Sequence, residues 1–313
     1  MNTTLSLIDV ITYIPEYRPL VSEIIDEVGI TSVQAKIYER IYKLHSVPIA
    51  QESSQMEFLI RPIRVLLERY PGIQERVQLI IYAHTSAITT EFGASVIQDI
   101  KRDCGFDQAL TFGTTLNKCV ASIKALEIAD QFLSDKESDA LGLIVSGEIC
   151  YSDAIRHIPS TSIGGDAAIA VLVSKKNGKH KLLKTGTFTD GRFAKGMWMN
   201  NKELAEYDSS YIQVIVEKIK SVLSELKLNL NDIDLILPHN INIPSWQKVA
   251  TTLGMPLDKI YLSNIPKTAH TLGADVFLNL DSAYREKRLR PGMKSMMVSV
   301  GLGASYGYAI WEH

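Results

Sequence analysis

Three short runs, Val77–Tyr82 (VQLIIY), Ala140–Ser146 (ALGLIVS) and Ala167–Val173 (AAIAVLV), are apolar at nearly every position and bounded by polar residues. A strand with one wet face alternates apolar and polar side chains, so a run this uniformly apolar must be covered on both faces. The covering elements lie between the runs. Gly93–Cys104 carries Ala94, Val96, Ile97 and Ile100 at helical spacing, and Cys119–Leu133 carries Ile123, Leu126, Ala129, Phe132 and Leu133 on one face. Lys124, Glu127, Asp130 and Gln131 form the polar side of the latter. The pattern predicts an α/β protein with buried strands.

The second half repeats the style. Tyr211–Leu226 is strongly periodic, Ile233–Leu237 reads as a strand, Trp246–Leu253 as a helix and Lys259–Leu262 as a strand. Leu272–Leu289 is predicted as one long helix stopped by Arg290-Pro291-Gly292, with closing strands at Met296–Val300 and Tyr306–Trp311. Asn177-Gly178, between two apolar runs, predicts a hairpin turn whose neighbouring lysines form a solvated loop. No Pro/Ser/Gly linker divides the 313 residues, so two similar, closely packed lobes are expected.

Charge and composition narrow the function classes. The 33 Lys+Arg and 35 Asp+Glu leave a net charge of -2, unlike a chain that holds nucleic acid by bulk charge. No apolar run reaches the roughly 18–20 residues that span a bilayer, and Met1–Leu20 lacks the basic start of a signal peptide. A soluble cytoplasmic protein, with no nucleic-acid or membrane partner, is expected. Three cysteines without CxxC spacing, and no HxxxH or HxxH pair, offer neither a disulfide framework nor a metal site.

Among the thiols, Cys119 stands at a helix start after a Thr- and Gly-rich stretch, where free N–H groups and the helix dipole favour a thiolate. A buried core cysteine is the competing reading, and the preferred one for Cys104 and Cys150. His239 follows a strand at its C-terminal end, where ligand sites collect in α/β sheets. His270 precedes a helix within KTAHTLGA. Together the three residues permit a Cys/His/His site. Gly301-Leu302-Gly303 lies between two strands with no following helix, which excludes a dinucleotide fingerprint; a tight turn bringing backbone N–H groups to a substrate oxygen fits better.

The succession LNKC, SIGGDAAIAVLV, LPHNIN, TAHTLGADV and GLGASYG resembles the thiolase superfamily, specifically its β-ketoacyl-acyl-carrier-protein synthase III branch, from about Val77 to Trp311. The resemblance implies two pseudo-duplicated βαβαβ halves in five α/β/α/β/α layers, residues 1–176 carrying the nucleophile and 177–313 the histidines and glycine turn. It places the acyl-bearing nucleophile at Cys119, the other catalytic positions at His239 and His270, and an oxyanion hole at the backbone N–H groups of Cys119 and Leu302. Asn242, Gly301, Gly303 and Phe92 fall at substrate-binding positions, Phe92 in a loop expected near a dimer-shared acyl pocket. The implied partners are an acyl-CoA or acyl carrier protein and a second copy of the chain. CoA or phosphopantetheine enters as a thioester substrate, with no separate cofactor.

Four departures from the family pattern are visible. His270 stands where asparagine is usual, Pro244 replaces an arginine after the first histidine, and the DEWI-type tryptophan is missing near Ile37-Tyr38. Val120-Ala121-Ser122 and GDAAIA alter small residues near the pocket. The loop after VQLIIY offers Thr85, with His84 read as part of the packed strand end, where hydroxymethylglutaryl-CoA synthases carry glutamate. These point to specialised fatty-acid or polyketide-type biosynthesis. The expected reaction is acyl transfer through Cys119 followed by Claisen condensation with a malonyl-type thioester, two neutral imidazoles donating N–H bonds to the enolate. Ester or amide formation, with His239 as general base, and a partner-subunit role in a ketosynthase heterodimer are the alternatives.

Overall fold

A computed structural model describes residues 5–91, 93–137, 139–175 and 178–313. Among them, nine strands form one sheet: β1 (Ser6–Tyr13), β2 (Val77–Ala83), β3 (Leu110–Thr114), β4 (Leu141–Glu148), β5 (Ala167–Ser174), β6 (His180–Thr189), β7 (Leu235–Pro238), β8 (Lys294–Gly301) and β9 (Ser305–Glu312). Their order, β3-β2-β4-β5-β1-β6-β9-β8-β7, is two copies of one arrangement meeting at β1 and β6. Outward from that seam, each half has two antiparallel steps and then a parallel one; β3 and a bridge from Ile236 to Ile260 complete the parallel edges. At the seam itself only Ser6 and Leu7 pair, with Lys181 and His180.

The buried strands are two-faced, as their composition requires. In β5, Ala167, Ile169, Val171 and Val173 join the central core, while Ala168, Ala170 and Leu172 join an outer one. β2 divides likewise: Leu79, Ile81 and Ala83 point inward, Ile80 and Tyr82 outward. Two helices fill the centre. α3 (Ala121–Leu133) packs on β2 and β4 of one half and β6 and β9 of the other; α6 (Asp275–Arg285) packs on β1 and β5, and on β7 and β8. Outside lie α1 (Gln55–Arg69) and α2 (Val96–Cys104) on one flank, and α4 (Asn201–Glu225) and α5 (Ile243–Leu253) on the other. This is the expected five-layered thiolase-like fold.

Several expectations are corrected. The strands flanking Asn177-Gly178 do not form a hairpin, because β1 lies between them and is antiparallel to both. Lys176 and Asn177, and with them the 176/177 division, lie outside the described residues. Lys259–Leu262 is no strand; Ile260 makes a single bridge after a 3-10 turn. The long helix from Leu272 begins as a 3-10 turn and is regular only over α6, ending at Arg285. α4 starts ten residues before its periodic region, because Asn200 and Glu203 close a capping box there.

The halves meet closely where β9 crosses the start of α3. A Cβ added at Gly307 would overlap Val120 Cγ1 and lie 3.3 Å from Ile123 Cδ1. Gly307→Ala is expected to cost about 1–3 kcal/mol through overpacking, read as a lower urea midpoint at unchanged m-value.

Candidate active site

Cys119 lies in a 3-10 turn, Lys118–Val120, that runs directly into α3. The turn is held from the C-terminal half. Ser299 of β8 donates its hydroxyl to the Cys119 carbonyl at 3.0 Å, and a Cβ at Gly301 would strike the Asn117 carbonyl and lie 3.2 Å from the Cys119 nitrogen. Only a glycine lets β8 approach the nucleophile's backbone so closely. Gly303, at φ 87°, turns the chain back into β9, and Leu302 between the two is 37% exposed.

Cys119 is buried, with its sulfur 3.3 Å from Nε2 of His270. His270 Nδ1 in turn donates to Asp275 Oδ2 at 2.5 Å. Asp275 begins α6, is 1% exposed, and accepts three further hydrogen bonds: from the Thr271 amide (2.7 Å) and hydroxyl (2.6 Å), and from the Asn240 amide (2.6 Å). Burial opposes charge on His270, but the Asp275 carboxylate and the Cys119 sulfur outweigh it, raising its pKa to about 10. The result is a Cys-His-Asp alignment in which the carboxylate orients the imidazole.

His239 is placed differently. Its ring centroid lies 6.0 Å from that of His270, and its Nε2 is bonded to the Tyr211 hydroxyl at 2.8 Å. Its own carbonyl accepts from the Trp246 indole at 2.9 Å. Burial first, then the charge on His270, lower its pKa to about 3. The two imidazoles therefore differ at neutral pH: His239 is neutral as expected, whereas His270 is positive, because His270 is hydrogen-bonded directly to the buried Asp275 carboxylate.

Asn242 caps α5 rather than facing the sulfur. Its carbonyl accepts from the Ser245 amide and its amino group donates to the Thr161 carbonyl, both at 2.9 Å. Pro244 sits in the first turn of that helix, where its missing N–H costs nothing. Phe92 lies outside the described residues. Thr85 does approach the site, its hydroxyl 3.9 Å from the sulfur, in a loop whose Thr85 and Ser86 amides both bond to the buried Glu148 carboxylate. His84 stacks on Tyr82, as a packed strand end should. Cys104 and Cys150 are buried thiols with pKa values pushed up by burial, as inert core cysteines require.

Asp275, Tyr211 and Glu148 were not among the sequence candidates. Asp275 had a signal: a carboxylate inside the apolar run TLGADVFLNL must be paired once buried. Tyr211 had none, since its spacing in α4 matches an ordinary core position.

A nine-stranded α/β fold with a buried cysteine at the head of one of its two central helices is an arrangement shared with thiolase-like folds. The C-terminal 223–313 match the family described as 3-oxoacyl-[acyl-carrier-protein] synthase III C terminal. The chain is 29% identical over 255 residues to β-ketoacyl-[acyl-carrier-protein] synthase III of Clostridium acetobutylicum, covering 74% of this chain and 76% of that one. Its fold is similar to a 3-oxoacyl-[acyl-carrier-protein] synthase III structure from Aquifex aeolicus (TM-score 0.84, 21% identity, 99% and 100% covered). It is also similar to the acyltransferase ChlB3 (TM-score 0.86, 17% identity, 98% and 97% covered). The chain is thus similar to β-ketoacyl-acyl-carrier-protein synthase III proteins in sequence and has a thiolase-like fold.

Asp275→Asn removes the charge that outweighs burial at His270, so the imidazole should lose its proton at lower pH. In the parent protein, reactions needing imidazolium should fail as pH rises through about 10. In the variant that alkaline limb should move down by more than one pH unit, read from the pH profile of single-turnover thioester release.

Proposed function

We propose that this protein is an acyl-thioester condensing enzyme. Cys119 takes an acyl group from an acyl-CoA or acyl-carrier donor and passes it, by Claisen-type condensation, to a malonyl-type thioester. The observation that carries the reading is the buried sulfur 3.3 Å from a positively charged imidazole that is itself anchored by Asp275. In the loading step the Cys119 sulfur attacks the thioester carbonyl, the thioester C–S bond breaks, and His270 gives its proton to the departing thiolate. The backbone N–H groups of Cys119 and Leu302 would hold the oxyanion; the close packing of Gly301 beside the Cys119 nitrogen supports that pairing. In the second step, loss of CO₂ leaves an enolate that His239 and His270 would stabilise.

One observation favours a second reading, ester or amide formation without decarboxylation. After loading, His270 is neutral, oriented by Asp275 and beside the acyl-sulfur, which suits it to take a proton from a hydroxyl or amine acceptor. His239, the base first expected for that role, is tied to Tyr211. Retention of Cys119, His239 and His270 together speaks against a non-catalytic subunit. An edge strand, β3, with Leu110 and Leu116 exposed at 54% and 86%, supports pairing with a second copy of the chain. Specialised fatty-acid or polyketide-type biosynthesis is the proposed setting.

Incubation with acyl-CoA should add one acyl mass to the intact protein and none to Cys119→Ala; labelling that survives in Cys119→Ala sinks the assignment. His270→Ala should slow loading by about 10²–10⁴-fold, the usual worth of a positioned acid–base group. Release of labelled CO₂ from carboxyl-labelled malonyl-CoA during turnover identifies condensation. Its absence, with acyl transferred to an alcohol or amine, identifies the second reading.

A further inference from the structure

An acyl group on Cys119 must extend away from the sulfur, and the surroundings leave few apolar directions. His270 occupies one side at 3.3 Å, and the Thr85 hydroxyl another at 3.9 Å. One set of the sulfur's apolar neighbours forms a small cluster separate from the three main cores: Cys119, Cys150 and Leu272, with Ile155 packed against them. Leu272 is 4% exposed and Cys150 7%. Behind them the wall is closed, since a Cβ at Gly164 would lie 3.1 Å from the Cys150 sulfur and 2.8 Å from the Ile155 carbonyl oxygen. Cys150 is fixed there by its backbone, its amide donating to Asp166 and its carbonyl accepting from Arg156 of a buried ion pair.

Leu272 is held in this cluster by an uncommon backbone conformation. Its φ is +55°, left-handed and uncommon for a branched side chain. Three contacts hold that conformation. Thr271 is bonded to Asp275 through both its amide and its hydroxyl. The His270 amide and carbonyl are bonded to Ile163 and Gly165. Gly273 is pressed on β4, where a Cβ would lie 2.8 Å from the Ser146 hydroxyl. The turn beginning at Leu272 packs against the turn carrying Cys119. Strain held by this many contacts beside a nucleophile is characteristic of functional positions.

We infer that Leu272, packed against Cys119 and Cys150, is the residue that limits the length of acyl group the cysteine can carry. The inference rests on the acyl-cysteine reading above. A longer chain must displace Leu272 or Cys150, and neither can retreat into the closed wall. Discrimination follows from the side chain's bulk: each methylene excluded from a packed apolar pocket is worth about 10–200-fold.

The test is intact-mass loading with acyl N-acetylcysteamine thioesters from acetyl to decanoyl, which depend on neither CoA nor carrier recognition. The parent protein should load acetyl and butyryl, and load octanoyl at least about tenfold more slowly. Leu272→Ala should raise octanoyl loading by about tenfold or more, with acetyl loading changed by much less. Leu272→Phe should restrict loading further, toward acetyl. Octanoyl loading as fast as acetyl in the parent protein overturns the inference, and that measurement needs no variant. So does an unchanged length profile in a Leu272→Ala protein that still loads acetyl. If no thioester of any length loads the parent protein, the acyl-cysteine reading itself fails, and this inference with it.

Discussion

The Asp275 carboxylate is the interaction on which the rest of the site depends. Almost wholly buried, it accepts from His270, from the amide and hydroxyl of Thr271, and from the Asn240 amide. A buried carboxylate is tolerable only when its lone pairs are filled, and here four donors fill them. Each donor is also a positioned element. Asn240 follows β7, Thr271 fixes the turn in which Leu272 takes its left-handed conformation, and His270 faces the nucleophile. One anion thus sets the orientation of one histidine, its charge, and the shape of the wall behind the sulfur.

The other histidine shows what the same burial does without a direct bond to the carboxylate. His239 is as buried as His270, yet its proton affinity falls while that of His270 rises. Two imidazoles whose rings lie 6.0 Å apart are driven in opposite directions, which is how one pocket can hold both a proton donor and a neutral partner. Tyr211, with its phenol kept protonated by burial, bonds the Nε2 of the neutral partner.

Much of this was legible in the sequence. The runs VQLIIY and AAIAVLV required a sheet covered on both faces, and the structure divides their side chains between two cores accordingly. Cys119 and His270 came from position at element boundaries, and the structure brings them together. What stayed hidden was non-local. β1, with Asp9 and Thr12 among its apolar residues, gives only a weak strand pattern, and α1 carries Pro62 inside it. β1's insertion between β5 and β6 turned a turn signal into a crossover. The pairing of Asp275 with His270 depends on a 3-10 turn that an apolar-period argument reads as more helix.

The nucleophile and its imidazole stand 151 positions apart in the chain, and the nucleophile's own turn is pinned by Ser299 and Gly301, close to the C-terminus. During synthesis the thiol therefore emerges long before any of the groups that would activate it. The geometry around Cys119 therefore exists only once both halves are in place, which makes the environment of this one sulfur a report on whether they have come together.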